Sequence, residues 1–409
     1  MAQNRPLRTI SLFTGIGGLD YGFEAAGFET AVAIEWDAAC CRALRANRKW
    51  QIIEDDIHRV DSATLLEKAG LSKSDADVLI GGPPCQPFSK SGYWASGDTK
   101  RLADDRADTL SAYLRVLEDT QPRALLLENV YGFAFRGKDE GLGRILNGIR
   151  AINERCGTNY QPTWKVLNAA AFGVPQQRER VFIVASREGR EFLFPSPTHG
   201  QPDALEKGQE PFRTCWDALG DLPVPPNSES LKATGKWAEL LPTIPEGENY
   251  LFHTKRGAGL PLFGWRTRYW NFLLKLAKDR PSWTIQAQPG SATGPFHWES
   301  RKLSAQELSR LQTFPNLKIE GTRSEAQRML GNAVPSLLAE VLAREIAVQL
   351  LGRAEYRESP KLLLPVRSDL MPPEPVKQVS RPYLALIDDY DDHPGTGLGR
   401  RARLRVSAA

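Results

Sequence analysis

One cysteine of this chain sits in a backbone that a merely buried thiol would not require. Gly81-Gly82-Pro83-Pro84-Cys85-Gln86-Pro87-Phe88-Ser89 surrounds Cys85 with two glycines and three prolines, directly after the apolar run Asp77 to Ile80. A rigid, irregular loop at the C-terminal end of a strand can present a thiolate as a nucleophile. The alternative is an inert core cysteine. A carboxylate stands at the next strand end, where Glu128-Asn129-Val130 closes Arg123 to Leu127. That is where a partner for Cys85 belongs, although a strand-end cap is the other reading. Arg178 and Arg180 are separated by two, hence on one face of an extended segment, and can both point at one pocket. Exposed loop arginines are the bland alternative.

These residues need a scaffold. From Arg8 to Val184, Thr9 to Phe13, Thr30 to Ile34, Asp77 to Ile80, Arg123 to Leu127 and Val181 to Ala185 read as strands alternating with helical patterns. The alternation predicts a parallel sheet covered by helices. The first strand runs into Thr14-Gly15-Ile16-Gly17-Gly18-Leu19 and then a helix, where doubly wound sheets bind ligands. A tight turn whose glycines only permit positive φ is the alternative. The second strand ends in Glu35-Trp36, about 20 residues on, where an acid can accept both hydroxyl protons of a ribose; a solvated strand end is the other reading. Asp55-Asp56-Ile57 adds a third acidic step. Three strand ends thus offer glycine, Glu and Asp to one nucleoside-like ligand, and without a G-x-x-x-x-G-K-[ST] run a triphosphate is not favoured.

Length and composition bound the rest. The 409 residues, 41% hydrophobic and 25% charged, suit two to three globular domains. The 34 Gly show no triplet period, the 29 Pro break any long helix and the net charge is only +4, which excludes collagen, coiled-coil and wholly disordered classes. No apolar run approaches a membrane span, and the N-terminal residues lack the apolar core of a signal peptide, so a cytoplasmic protein with no membrane partner is expected. Five cysteines without a C-x-x-C pair and five scattered histidines predict neither a disulfide framework nor a metal site.

Residues 1–186 with 319–350 read as one catalytic domain, and 187–318, Pro-rich and without regular period, as a second, smaller, irregular one. A helical segment from Ser324, with the breaker Pro335, carries Leu337, Leu338, Val341, Leu342, Ile346 and Leu350 and is expected to pack back on the first domain. The Pro-rich, acidic and then basic stretch 351–409 is expected to be a flexible tail. From Leu251 to Pro281, Lys255, Arg256, Arg266, Arg268, Lys275, Lys278 and Arg280 face one acid, Asp279, and interleave with Phe252, Phe263, Trp265, Tyr269, Trp270 and Phe272. Basic and acidic residues cancel over 186–300 as a whole, so this charge is concentrated in a patch that fits a duplex contact. A helix with a solvated charged face and aromatics in a core is the alternative, and both can hold for different residues.

Gly82 to Ser89 resembles the nucleophile motif of the DNA cytosine-5 methyltransferases, and Leu12-Phe13-Thr14-Gly15-Ile16-Gly17-Gly18 resembles their S-adenosylmethionine loop. Glu128-Asn129-Val130, Gln176-Gln177-Arg178-Glu179-Arg180, Arg301 to Pro315 and Gly331-Asn332-Ala333-Val334-Pro335 are similar to further motifs in the family's order. The resemblance covers residues 8 to 350. Ser11 stands where Asp is usual, Asp55 where Gly is usual, and Asp104 to Leu110 matches its motif poorly.

The resemblance implies a Rossmann-like class I methyltransferase sheet of the α/β class with a separate target-recognition domain. It implies S-adenosylmethionine held by Phe13, Gly15, Ile16, Gly17, Gly18, Glu35, Trp36, Asp56, Ile57, Gly82, Pro84, Asn332 and Val334. Cys85 would add to C6 of a cytosine. Glu128, at N3 and the exocyclic amine, would offset the charge that develops in the ring. Arg178 and Arg180 would bind the base O2 and steady the thiolate side. A thiol cannot reach the face of a base inside a duplex, so the cytosine must be extruded, with Ser89 to Arg106 as the lid. Ser89, Lys255, Arg256, Arg266 and Arg268 are the expected DNA contacts. A monomer acting on double-stranded DNA at the bacterial nucleoid, with a separate cognate restriction endonuclease, is the leading reading. An RNA cytosine-5 methyltransferase and a catalytically silent DNA-binding module of the same fold are the alternatives.

Overall fold

The computed structural model describes residues 5–84, 108–134, 140–226, 228–266 and 269–390. Its strands are β1 (Leu7–Leu12), β2 (Phe28–Glu35), β3 (Ile52–Glu54), β4 (Val78–Gly81), β5 (Ala124–Val130), β6 (Thr163–Asn168), the two-residue β7 (Gln176–Gln177) and β8 (Glu179–Ser186). Seven of them form one sheet in the order β3-β2-β1-β4-β5-β8-β6. The first five run parallel, whereas β8 runs antiparallel to both of its neighbours. This is a Rossmann-like α/β sheet whose strand order reverses at β1, so the ends of β1, β2, β4 and β5 open on one edge.

The strands are near-continuous apolar runs because the sheet is buried on both faces. In β5, Ala124 and Leu126 join one core and Leu125 and Leu127 the other. The first core is covered by α1 (Gly18–Ala26) and a long C-terminal helix, Ser336–Gln349. The expected C-terminal helical segment is split at Ala333–Pro335 into Arg323–Asn332 and Ser336–Gln349. Its second half crosses α1 so closely that a Cβ on Gly22 would collide with Ala339 Cβ and the Ser336 carbonyl, and one on Gly18 with the Val334 carbonyl. The edge strand β6 was not anticipated, because its outward residues Trp164 and Lys165 are exposed and break the apolar run.

The stretch 351–390 corrects the expectation of a flexible tail. Glu340, buried in the helix Ser336–Gln349, pairs with Arg344 one turn on and accepts the backbone N–H groups of Lys361 and Leu362. Farther on, Arg213 donates to the Leu364 carbonyl, Arg367 N–H to Asp217, Lys377 N–H to the Pro242 carbonyl and Tyr383 Oη to the Lys236 carbonyl. The segment is a strap held by these polar anchors and by scattered apolar residues, Tyr356, Leu362 and Leu363 on the first core and Val379, Tyr383 and Leu386 on the cluster around Leu240 and Tyr250, so it shows no hydrophobic period. Its remainder, 391–409, lies outside the described residues.

The α1 crossing yields a direct test. Gly22→Val should destabilise the protein by about 1–3 kcal/mol through overpacking, read by denaturant unfolding. Half-buried Gly143, with no described atom near a would-be Cβ, should tolerate Ala without loss.

Candidate active site

Backbone geometry at the end of β1 is set by left-handed residues: Phe13 has φ 54°, Gly15 57° and Gly17 87°. The loop they make brings the Gly15 N–H to Glu35 Oε2 at 2.6 Å, while the Asp37 N–H donates to Oε1 at 2.8 Å. Burial pushes the Glu35 carboxyl up, and the backbone N–H groups oppose that. With about four acceptor sites on its two oxygens, the carboxylate keeps capacity beyond these backbone N–H groups, so Glu35 is an oriented acceptor for a hydroxyl group. Among the described residues nothing lies within 4 Å of where a Gly15 Cβ would be. Trp36 beside it is 75% exposed. Asp56 accepts the His58 N–H at 3.0 Å at the end of β3. Ile16, Ile57 and Val334 turn into the cores and pack beneath this edge, and Asn332 is exposed at its helix end. Ser11, the departure from the usual Asp, donates to Asp20, whose buried carboxyl is pushed up to about 7.

The second half of the site joins β4, β5 and β8. Glu128 is buried at the end of β5, with Arg180 Nε 2.9 Å from its Oε1. Because β8 is antiparallel, its first residues lie beside the last of β5, with Arg180 in register with Val130. On the other side a Gly82 Cβ would lie 2.9 Å from Glu128 Oε2, so a larger residue there would push the carboxyl from its place. Asn129 Nδ2 donates to the Pro83 carbonyl at 3.1 Å, tying the loop to the same strand end. Pro84 is exposed. Cys85 follows it in sequence and, with Ser89, Arg268 and the whole of the expected lid region, lies outside the described residues. Burial pushes the Glu128 carboxyl up, opposed by Arg180 and then Arg178. Desolvation disfavours both charges of the pair, and since a guanidinium stays protonated, the carboxyl makes the adjustment.

The edge therefore gathers an acceptor for hydroxyls, an exposed indole and a buried carboxyl of raised proton affinity beside a glycine-proline loop. A family model for C-5 cytosine-specific DNA methylase matches residues 7–348. The chain belongs to that family. It is 39% identical to the Type II methyltransferase M.SacI of Streptomyces achromogenes over 376 residues, covering 85% of this chain and 94% of that one. It is 34% identical to M.NgoFVII of Neisseria gonorrhoeae over 352 residues, covering 84% and 87%. Among solved structures its fold is similar to S. pombe Dnmt2 methyltransferase, with a TM-score of 0.56 at 17% identity over 84% of this chain and 99% of that one.

In this C-5 cytosine-specific DNA methylase, Arg178 does not join Arg180 on Glu128. It lies in the break between β7 and β8, where the two-residue period lapses, and donates to the carbonyls of Ile285 at 3.3 Å and Gly331 at 2.8 Å. Gln176, Gln312 and Gln327 work alongside it: Gln176 accepts the Ile285 N–H, Gln312 donates to the Leu330 carbonyl and Gln327 to that of Gln286. Sequence reasoning missed these glutamines as individual contacts, and their only signal is polar residues inside apolar surroundings.

The basic segment divides. Phe263 and Phe272 pack against an apolar cluster built on Leu240, Ile244 and Tyr250. Lys275 is buried and donates to the Ile244 carbonyl, and Lys278 is buried between Glu246 and Glu374 of the strap. Lys255, Arg256 and Arg266 are exposed, with Arg256 stacked over Trp265. The surface charge is thus smaller than the sequence count, because two of the lysines are internal.

Removing the cation beside Glu128 has a defined pH signature. In Arg180→Met the carboxyl's proton affinity rises further, so its favourable contribution is present below about pH 4, near the unfolded value, and is lost as pH rises through the folded one. The variant should lose about 3–5 kcal/mol relative to wild type at pH 8 and distinctly less near pH 4. Denaturant unfolding across that range measures it.

Proposed function

We propose that this methylase transfers a methyl group from S-adenosylmethionine to C5 of a cytosine extruded from a specific duplex sequence, through a covalent Cys85 adduct at C6. The observation that carries the reading is Glu128, buried, paired with Arg180 and abutting Gly82, three residues before Cys85. S-adenosylmethionine, when bound, supplies an electrophilic methyl on a sulfonium. Glu35 would hold its ribose hydroxyls and Asp56 and Trp36 its base and flanking groups, beside the open space over Gly15. Phe13, Gly17, Gly18, Gly82, Pro84 and Asn332 would line the remainder, with Ile16, Ile57 and Val334 supporting them.

Cytosine C5 is too weak a nucleophile until C6 becomes an sp³ centre. The Cys85 thiolate bonds to C6 while Glu128, in its protonated form, gives a proton toward N3, so the electron pair moves to C5. Arg180 fixes the carboxyl at the strand end. Once C5 carries the methyl group, its proton leaves to water, the C5–C6 double bond re-forms as the Cys85 thiolate is expelled, and N3 returns its proton to Glu128. Arg178 acts here as a positioning residue between β8 and the segment around Ile285. Residues 187–318 would form the target-recognition domain, with Lys255, Arg256, Arg266 and Arg268 toward the phosphates, where contacts position and base edges specify. The relatives' names support a Type II modification enzyme; a monomer working in a bacterial cytoplasm beside a separate endonuclease completes this reading.

Cys85→Ser should abolish methyl transfer and keep cofactor binding, and a duplex with 5-fluorocytosine at the target should leave a protein-DNA adduct on a denaturing gel, since fluorine cannot leave as the proton does. Turnover by the serine variant, or no adduct with active enzyme, contradicts the covalent step. Glu35→Ala should weaken S-adenosylmethionine binding about tenfold or more, the loss of one charge-assisted hydrogen bond, with duplex affinity unchanged in calorimetry.

A further inference from the structure

Two indoles stand in water beside the catalytic strand. Trp270 and Trp283 pack edge to face with ring centroids 5.0 Å apart, yet remain 41% and 46% exposed. Neither belongs to an apolar cluster among the described residues, unlike Trp237, Trp216 and Trp298. Adjacent exposed aromatics of this size mark a contact surface more often than a defect of packing.

Their anchorage places them. Ser282–Trp283 pairs in parallel with β7, Trp283 opposite Gln177, and Thr284 Oγ1 donates to the Gln177 carbonyl at 2.6 Å. From Gln177 the chain runs three residues, about 10 Å when extended, to Arg180 and its partner Glu128. Trp270 is held from behind, its carbonyl accepting Asn249 Nδ2 at 2.7 Å. Next to it, exposed Tyr269 has the exposed Arg266 guanidinium 5.8 Å from its ring centroid. The pair is therefore an aromatic surface, flanked by a cation, mounted on the same backbone as the catalytic pair.

We propose that Trp270 and Trp283 form a stacking platform for the DNA bases left exposed when the target cytosine leaves the helix. The inference rests on the base extrusion proposed above. Extrusion forfeits stacking on both sides of the vacated position, a cost that is least when the base is already unpaired. An aromatic face against the exposed neighbour returns part of that loss, as apolar wedges do in kinked duplexes. Arg266 holds the adjoining phosphate.

The test uses the full chain on its own target site, mapped by bisulfite sequencing, with 2-aminopurine beside the target cytosine. One duplex is fully matched, a second carries a mismatch opposite that cytosine, and a third lacks the target sequence. Trp283→Ala and Trp270→Ala should weaken binding of both target duplexes about tenfold or more and, at saturating protein, raise the 2-aminopurine fluorescence because the exposed base has lost its stack, while the non-target duplex, from which no base is extruded, is bound within about twofold of wild type. Trp283→Phe should restore most of the loss. Equal weakening on the non-target duplex, or none on the matched one, overturns the proposal while extrusion by wild type stands. If wild type itself gives neither a fluorescence rise nor tighter binding of the mismatched duplex, extrusion fails and the platform with it.

Discussion

A buried carboxyl that cannot be left alone organises this molecule. Glu128 closes a central strand, where water is excluded, and an unpaired carboxylate there would be costly. The antiparallel strand β8 answers that constraint by starting where β5 ends, which puts Arg180 against Glu128. Gly82 answers it from the other side, leaving Oε2 the room that a Cβ 2.9 Å away would crowd. The reversed strand, the glycine before the proline pair and the Asn129 tie to Pro83 are thus consequences of one group, and together they define the wall facing the loop that carries Cys85.

The same logic of buried polar anchors joins the outer parts to the sheet. Arg178 and three glutamines hold the backbone around Ile285 and Gln286 against the end of Arg323–Asn332, and Gly331 leaves room for Ala287 to pass. Glu340 and Lys278 do the equivalent for the strap, the first on the helix over α1, the second through Glu374. A segment that touches the protein through polar anchors and scattered apolar residues spaced along it orders itself without a core of its own.

That difference explains what the sequence makes legible. The parallel strands and the turn after β1 announce themselves because a doubly buried strand must be apolar and a left-handed turn favours glycine, as at Gly15 and Gly17. Glu35 and Glu128 follow from position, being acids directly after such runs. The edge strand β6 does not, since Trp164 and Lys165 face solvent. The strap is illegible because Lys361 and Leu362 bind through backbone N–H groups, which any sequence supplies. Lys275 and Lys278 count as surface charge in a composition and are internal in the fold, because buried acceptors such as the Ile244 carbonyl and Glu246 carry no local signature. Arg178 and Arg180 share a strand face on paper, and the break between β7 and β8 separates their partners.

The central claim, that burial keeps the Glu128 carboxyl protonated beyond the ordinary carboxylate range despite Arg180, is open to one direct measurement. Infrared difference spectra of wild type against Glu128→Gln, recorded across a pH titration, isolate the carboxyl stretch of this residue. The account predicts a protonated carboxyl band that persists above the usual glutamate value of about 4.3. A spectrum showing only the ionised carboxylate at every pH above that value would contradict it.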